Sequence, residues 1–277
     1  MIPSPKLALC NFIDNSTLLR QFALSHGFDG VDWTFSPANL PRTRMEERTL
    51  AKTISSLHPL EVRYHCFFTN TDLGDLNVEK AKDATRLFRH LCRLVSRLGG
   101  SRITVHVGLG RNSSSGLSWQ RTIEGLADLT HLAGDLGLSL CVENLARGWT
   151  SHPDLFEKFL RKTGCWATLD IGHARGSAVV RSRSNRVEDF VLPHPERFLN
   201  AHVYHEETME GHLPPATLTD IENRLRLLRR LPSCDWWVLE LREERALLQT
   251  LDMVREFLSS EPLSADIRGA ANQLCIS

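Results

Sequence analysis

Apolar residues in this chain come in short runs, each followed by a longer amphipathic stretch rich in Leu and Arg. Eight runs have the length and composition of strands: 6–12 (KLALCNF), 30–35 (GVDWTF), 61–68 (EVRYHCFF), 102–109 (RITVHVGL), 139–145 (SLCVENL), 166–172 (WATLDIG), 200–206 (NAHVYHE) and 236–242 (WWVLELR). The intervening stretches carry helical periodicity. Over 78–98, Ala84, Leu87, Leu91, Leu94, Val95 and Leu98 share one face, and Gly99 and Gly100 stop the helix; 176–197 is less regular. Strands that alternate with helices pair in parallel, and eight such units close into a (β/α)8 TIM barrel. A doubly wound open sheet is the rival fold. Against it, no Gly-x-Gly-x-x-Gly turn follows the first strand, and the length suits the ~250 residues typical of the barrel. One barrel domain is expected over 1–260, with 261–277 as a C-terminal appendage.

Parallel barrel strands are buried on both faces, and polar residues at their C-terminal ends face the active-site mouth. Here strand three ends at His65, four at His106, five at Glu143, six at Asp170 and His173, seven at His202 and His205, and eight at Glu240. One such residue alone is most often a hydrogen-bonded structural group. Six consecutive strands ending this way are different, because buried carboxylates and imidazoles are costly unless paired, and a divalent cation satisfies many at once. Gly172 is expected to bend the chain so that His173 turns back toward Asp170 and the same centre. His and carboxylate ligands without thiolate suit Zn²⁺ first, with Mn²⁺ or Fe²⁺ as alternatives.

Composition narrows the partners. The 33 basic and 33 acidic residues cancel, so no global field draws the chain to nucleic acid or an anionic membrane. No apolar run approaches the ~18 residues of a membrane span, and the first twelve residues lack the pattern of a signal peptide. Cys10, Cys66, Cys92, Cys141, Cys165, Cys234 and Cys275 include no Cys-x-x-Cys pair, as expected of free thiols in a reducing, cytoplasmic setting.

These residues resemble the xylose-isomerase-like TIM barrels, the superfamily of endonuclease IV and many sugar isomerases and epimerases. The resemblance is carried by GFDGVDW (27–33), VENL (142–145), LDIGHA (169–174) and VLELR (238–242), in order and at family spacing. It implies a one-metal set of Glu143, Asp170, His202 and Glu240, as in the isomerases. It also implies a larger, endonuclease IV-like set that adds His65, His106, His173 and the pair Glu210 and His212, enough for two or three ions. Glu210 stands where the family has Asp, and His205 where it often has Asp.

Glu143, Asp170 and Glu240 are expected as the catalytic carboxylates, with Glu143 shared by both chemistries and Glu240 joining it to move a proton in an isomerase. Phosphodiester hydrolysis favours cations ~3.5–4 Å apart, which His65 and His106 would complete; isomerisation needs one cation and proton-moving carboxylates. The ligand count favours a metal-dependent phosphoester hydrolase, with a sugar or sugar-phosphate isomerase or epimerase as the alternative and an AP endonuclease acting on DNA as the second. Duplex DNA is disfavoured by the neutral charge and by the loop CFFTNTDLGD (66–75), which carries Asp72 and Asp75 and no base. A small or mid-sized, nucleotide-like phosphodiester fits better, and the superfamily's cobamide-remodelling phosphodiesterases extend the choice to a cobamide nucleotide loop. Trp33 and Phe35 are expected as an apolar lid, and Asn144, Arg175 and His205 as further substrate contacts. Arg175, Arg181, Arg183 and Arg186 could meet a phosphate, although such exposed charge runs are usually solvated faces.

Overall fold

The computed structural model describes residues 4–109 and 113–260. The expected appendage at 261–277, with Cys275, lies outside them. Eight parallel strands close the barrel: β1 (Lys6–Cys10), β2 (Gly30–Phe35), β3 (Glu61–Cys66), β4 (Arg102–Val105), β5 (Ser139–Glu143), β6 (Trp166–Asp170), β7 (Phe198–Val203) and β10 (Trp236–Leu239), in the cyclic order β1-β10-β7-β6-β5-β4-β3-β2. A short antiparallel hairpin, β8 (Glu206–Thr208) and β9 (Gly211–Leu213), follows β7. The helices are α1 (Ser16–Ser25), α2 (Arg44–Ser56), α3 (Val78–Arg97), α4 (Trp119–Asp135), α5 (Pro153–Thr163), α6 (Ile171–Gly176), α7 (Ala178–Arg181), α8 (Glu222–Arg229) and α9 (Glu244–Ser260). Local chemistry sets their starts. Thr43 and Glu46 form a reciprocal capping box on α2, and Asn77 accepts from the first turn of α3. Among the described residues no helix is long and apolar enough to cross a membrane.

Alternation along each strand sorts its side chains into two layers. One set, including Leu9, Val31, Phe35, Tyr64, Ile103, Leu140, Leu169 and Trp237, joins the main apolar core with the helices. The other set fills the barrel. Ala8, Trp236 and Val238 make a small apolar cluster there, and polar side chains fill much of the rest. Arg63, 4% exposed, donates to Asn200 Oδ1 (2.7 Å), Asp235 Oδ1 (3.0 Å) and Glu61 Oε1 (2.9 Å), and stacks 4.4 Å over Trp236. Above it, Thr104 and Thr168 share a hydrogen bond at 2.8 Å, and Asn200 Nδ2 donates to Thr168 Oγ1 at 3.3 Å. Satisfied polar groups thus floor the mouth in which the strand-end residues stand.

Two expectations change. Trp33 and Phe35 are buried and belong to the main core, with Phe35 stacked on Tyr64 at 5.8 Å. They alternate with Asp32, which points inward, so they face the helices and form no lid. The aromatic at the mouth is Phe67, 47% exposed and edge-on to His106 at 5.9 Å. The second change is at Gly172. β6 ends at Asp170, and the chain enters α6 at once, with Asp170 as its N-cap: Oδ1 accepts the His173 backbone N–H at 2.6 Å. His173 is brought round by a helical turn. Gly172 is needed for space, since a Cβ there would lie 2.1 Å from the Tyr204 ring.

Candidate metal centre

β5 carries Glu143 to the middle of the mouth, fully buried. Its two carboxylate oxygens face different imidazoles. Oε2 lies 3.3 Å from Nε2 of His65 and 3.1 Å from Nε2 of His106, and those two nitrogens are 2.9 Å apart. Oε1 lies 3.2 Å from Nδ1 of His202 and of His173. His202 Nδ1 is also 3.0 Å from Glu240 Oε2 and 3.7 Å from Asp170 Oδ2. Two groups able to hold a cation, His65 with His106 and Glu143, and Glu143 with Asp170, His202 and Glu240, therefore share one carboxylate.

A third group comprises His173, Glu207 and His212. The β8–β9 register pairs Glu207 with His212, and His212 Nε2 lies 3.3 Å from Glu207 Oε2. His212 Nδ1 donates to the Glu240 carbonyl at 2.6 Å, and His173 Nδ1 is 3.1 Å from the Asn144 carbonyl. A carbonyl only accepts, so each Nδ1 carries a proton and Nε2 is the ring nitrogen left to face a cation. Tyr204 stacks on His212 at 4.0 Å and meets His173 edge-on at 6.1 Å, holding both rings.

The donor set fits divalent cations. Asp170 Oδ2, His65 Nδ1 and His202 Nε2 are buried without a hydrogen-bond partner, a cost that ligation or an oriented proton removes. The charges polarise one another strongly. Burial would raise the Glu143 carboxyl, but His202 and His106 hold it well below the carboxylate range. Burial would lower His173, yet Asp170 and Glu143 push it up to about 10; His202 is likewise driven well above its usual value by Glu143 and Glu240. At His106 burial wins and lowers it. Burial raises Glu207 despite His173 and His212.

The structure brings together His65, His106, Glu143, Asp170, His173, His202, His212 and Glu240. Glu210 does not join them: it is exposed in the hairpin turn, where its N–H donates to Thr208 Oγ1, and Glu207 takes the place opposite His212. Asn144 is no substrate contact. It is fully buried, and its amide clamps the end of β6, donating to the Asp170 carbonyl and accepting its N–H, both at 2.8 Å. His205 and Arg175 line a separate cavity beside α6. Asp72 turns inward to accept from Gly74 and Gly108 N–H groups, so it gives the 66–75 loop no outward charge. Sequence reasoning missed Asp32, whose carboxylate, 3% exposed, groups with His65 and His202 and lies 3.9 Å from His65 Nδ1. Its signal was an acid inside an otherwise apolar strand. Glu207 had only hairpin parity with His212 to mark it.

Comparison with known proteins agrees with this fold. Residues 20–257 match the family described as Xylose isomerase-like TIM barrel. The chain is 28% identical over 160 residues, 58% of its length and 68% of the relative's, to the uncharacterized protein MJ0008 of Methanocaldococcus jannaschii. Among solved structures, D-allulose 3-epimerase from Methylomonas sp. superposes with a TM-score of 0.70 at 12% identity, covering 92% of this chain and 99% of that one. Endonuclease IV from Thermus thermophilus superposes with a TM-score of 0.66 at 17% identity, covering 93% and 100%. With the barrel closed and the match spanning most of its length, the chain belongs to the xylose isomerase-like TIM barrel family.

Proposed function

We propose that this protein hydrolyses a phosphoester, a small or mid-sized nucleotide-like diester, at a centre of two or three divalent cations. The carrying observation is Glu143, whose two oxygens face two different ligand groups. A carboxylate so placed would serve both groups at once, and a pair of cations is the arrangement suited to in-line displacement at phosphorus. Bound cations, zinc in first place and manganese or iron as alternatives, would polarise the phosphoryl oxygens and lower the pKa of the attacking water. The chain's own residues do the rest. Glu143, Asp170 and Glu240 would supply the negative charge that holds the cations, and His65 and His106 would complete the first group. His173 and His212, each fixed by a carbonyl on Nδ1, present Nε2 beside Glu207. Phe67, exposed at the rim, offers a face on which a base can stack. Duplex DNA remains a poor fit, since the chain carries no net charge.

One observation favours a second reading. Glu143, Asp170, His202 and Glu240 alone form a group able to hold one cation, and Glu143 and Glu240 converge on His202 Nδ1, at 3.2 and 3.0 Å, which sets together the two carboxylates that a sugar epimerase would use to move a proton. Elemental analysis together with turnover of bis(p-nitrophenyl) phosphate separates the two. At least two cations per chain, and hydrolysis abolished by His106→Ala, are expected of the hydrolase. One cation per chain, with ketose epimerisation that survives His106→Ala, would overturn it.

A further inference from the structure

A second polar cavity lies across α6 from the metal ligands. Two positions along a helix turn through about 200°, so α6 buries His173 against Glu143 while Arg175 stands half-exposed on its other side. There Arg175, Arg183, Arg186 and Arg224 line a cavity of about 670 Å³. Four guanidiniums face two carboxylates, Glu188 and Asp220. Asp220 is already engaged, since its Oδ2 accepts from the backbone N–H groups of Ala216 and Thr217 at 2.9 Å each. Arg175 reaches no acid closer than Glu206, at 3.8 Å.

Arg224 is the fixed part of the cavity. It is 8% exposed, and its guanidinium donates to the carbonyls of Ile171 (3.0 Å), His205 and Asp220 and to His205 Nδ1 (3.2 Å). Those partners are carbonyls and an accepting ring nitrogen, which orient the cation without neutralising it. Burial, and then the charge of Arg175, push it down to about 10 against the opposing pull of Asp170, Glu206 and Asp220. The cavity between α3 and α4 shows the contrast. There Lys82 is paired with Glu79 at 2.9 Å, Arg86 with Asp83, and Arg121 with the Asp75 carbonyl, so its cations are spent locally.

We propose that the Arg175, Arg183, Arg186 and Arg224 cavity binds the phosphoryl group of a phosphorylated small molecule. Guanidiniums match phosphoryl oxygens in bidentate geometry, and several of them outnumbering the free acids suit a dianion better than a single carboxylate. The volume falls in the ~300–1,000 Å³ range of small-molecule sites, more than a bare phosphate fills, so the ligand carries a further body. This site goes beyond the metal-centre reading and stands whether or not that centre cuts phosphoesters.

The test is calorimetric titration of the purified full chain with adenosine 5′-monophosphate and with adenosine, at constant ionic strength. The monophosphate should bind saturably and at least about tenfold tighter than the nucleoside. The double variant Arg183→Ala, Arg186→Ala, both exposed positions that leave the core untouched, should weaken it about tenfold or more, as loss of two charge-assisted contacts implies. Glu143→Gln should change it less than about twofold. The proposal is overturned if the double variant binds the monophosphate as the parent does, if adenosine binds equally well, or if Glu143→Gln abolishes binding. The last result places the phosphate at the metal centre and leaves the hydrolase reading intact. Competitive inhibition of diester hydrolysis by the monophosphate would make the cavity a subsite for a remote phosphate of the substrate. Non-competitive behaviour would make it the site of a separate ligand.

Discussion

Loading the centre with a cation should expel protons, and its affinity should therefore climb with pH. His173 sets the size of the effect, held at about 10 because Asp170 and Glu143 outweigh its burial. The folded value lies above the ordinary imidazole value, so the proton is bound throughout the neutral range and is lost only as pH rises through about 10. A cation bound through Nε2 needs that nitrogen's lone pair, while Nδ1 keeps its proton for the Asn144 carbonyl. At pH 7 the ring sits about three units below its pKa, so displacing the proton costs about 4 kcal/mol, and each added pH unit returns about 1.4. From pH 6 to pH 8 the apparent affinity at the His173 group should rise about a hundredfold for this one proton. His202, also driven up by Glu143 and Glu240, steepens the slope at the shared groups. Titrating chelator-treated protein with zinc in two buffers of different ionisation enthalpy counts the protons released. Affinity flat between pH 6 and 8, or no proton released on loading, would show that the imidazolium–carboxylate network does not exist.

Three further outcomes follow from single contacts. Glu207→Gln should lower the cation count by one per chain and Glu210→Gln should leave it unchanged, because the hairpin register sets Glu207 and not Glu210 against His212; the reverse pattern in elemental analysis would refute the placement. Gly172→Ala would put a Cβ 2.1 Å from the buried Tyr204 ring. Overpacking of about 1–3 kcal/mol should exceed the helix-propensity gain of about 1 kcal/mol, and equal or greater stability in urea would refute it. Arg63→Ala removes the cation that ties Asn200, Asp235 and Glu61 beneath the mouth. It should cost about 3 kcal/mol, the low end for a broken buried pair because both acids are partly exposed. Cation content should stay at the parent value, and a urea midpoint unmoved from the parent's would sink the structural role assigned to Arg63.

The alternation of apolar runs with amphipathic stretches was enough to read eight parallel strands, because a barrel strand buried on both faces is a continuous apolar word whatever its neighbours. The strand ends were largely legible for the same reason, since a His or Glu closing such a run usually points into the mouth; His205, two residues beyond the end of β7, turns instead to the cavity beside α6. What stayed hidden depended on direction and register. Trp33 and Phe35 lie in the strand that carries Asp32, and only the inward turn of Asp32 reveals that the two aromatics face the helices. Glu210 sits two residues before His212, where the family resemblance implies a ligand pair, but a hairpin turn at that point sends the acid outward and lets strand pairing choose Glu207.

Gly172 shows how far such reading reaches. Its place between Asp170 and His173 marks a special position, and a bend is the ordinary reason for a glycine after a strand. The reason here is a distant neighbour in the chain. Tyr204 occupies the space of the missing Cβ, and the same ring stacks on His212 and meets His173 edge-on. The glycine therefore serves the third ligand group through packing, by letting one aromatic ring hold two imidazoles whose nitrogens must face Glu207. Filling that space should disturb His173 and His212 together and leave the groups around His65, His106 and Glu143 in place. A loss of cations confined to one per chain in Gly172→Ala is thus the signature that separates a local packing role from a general loss of fold.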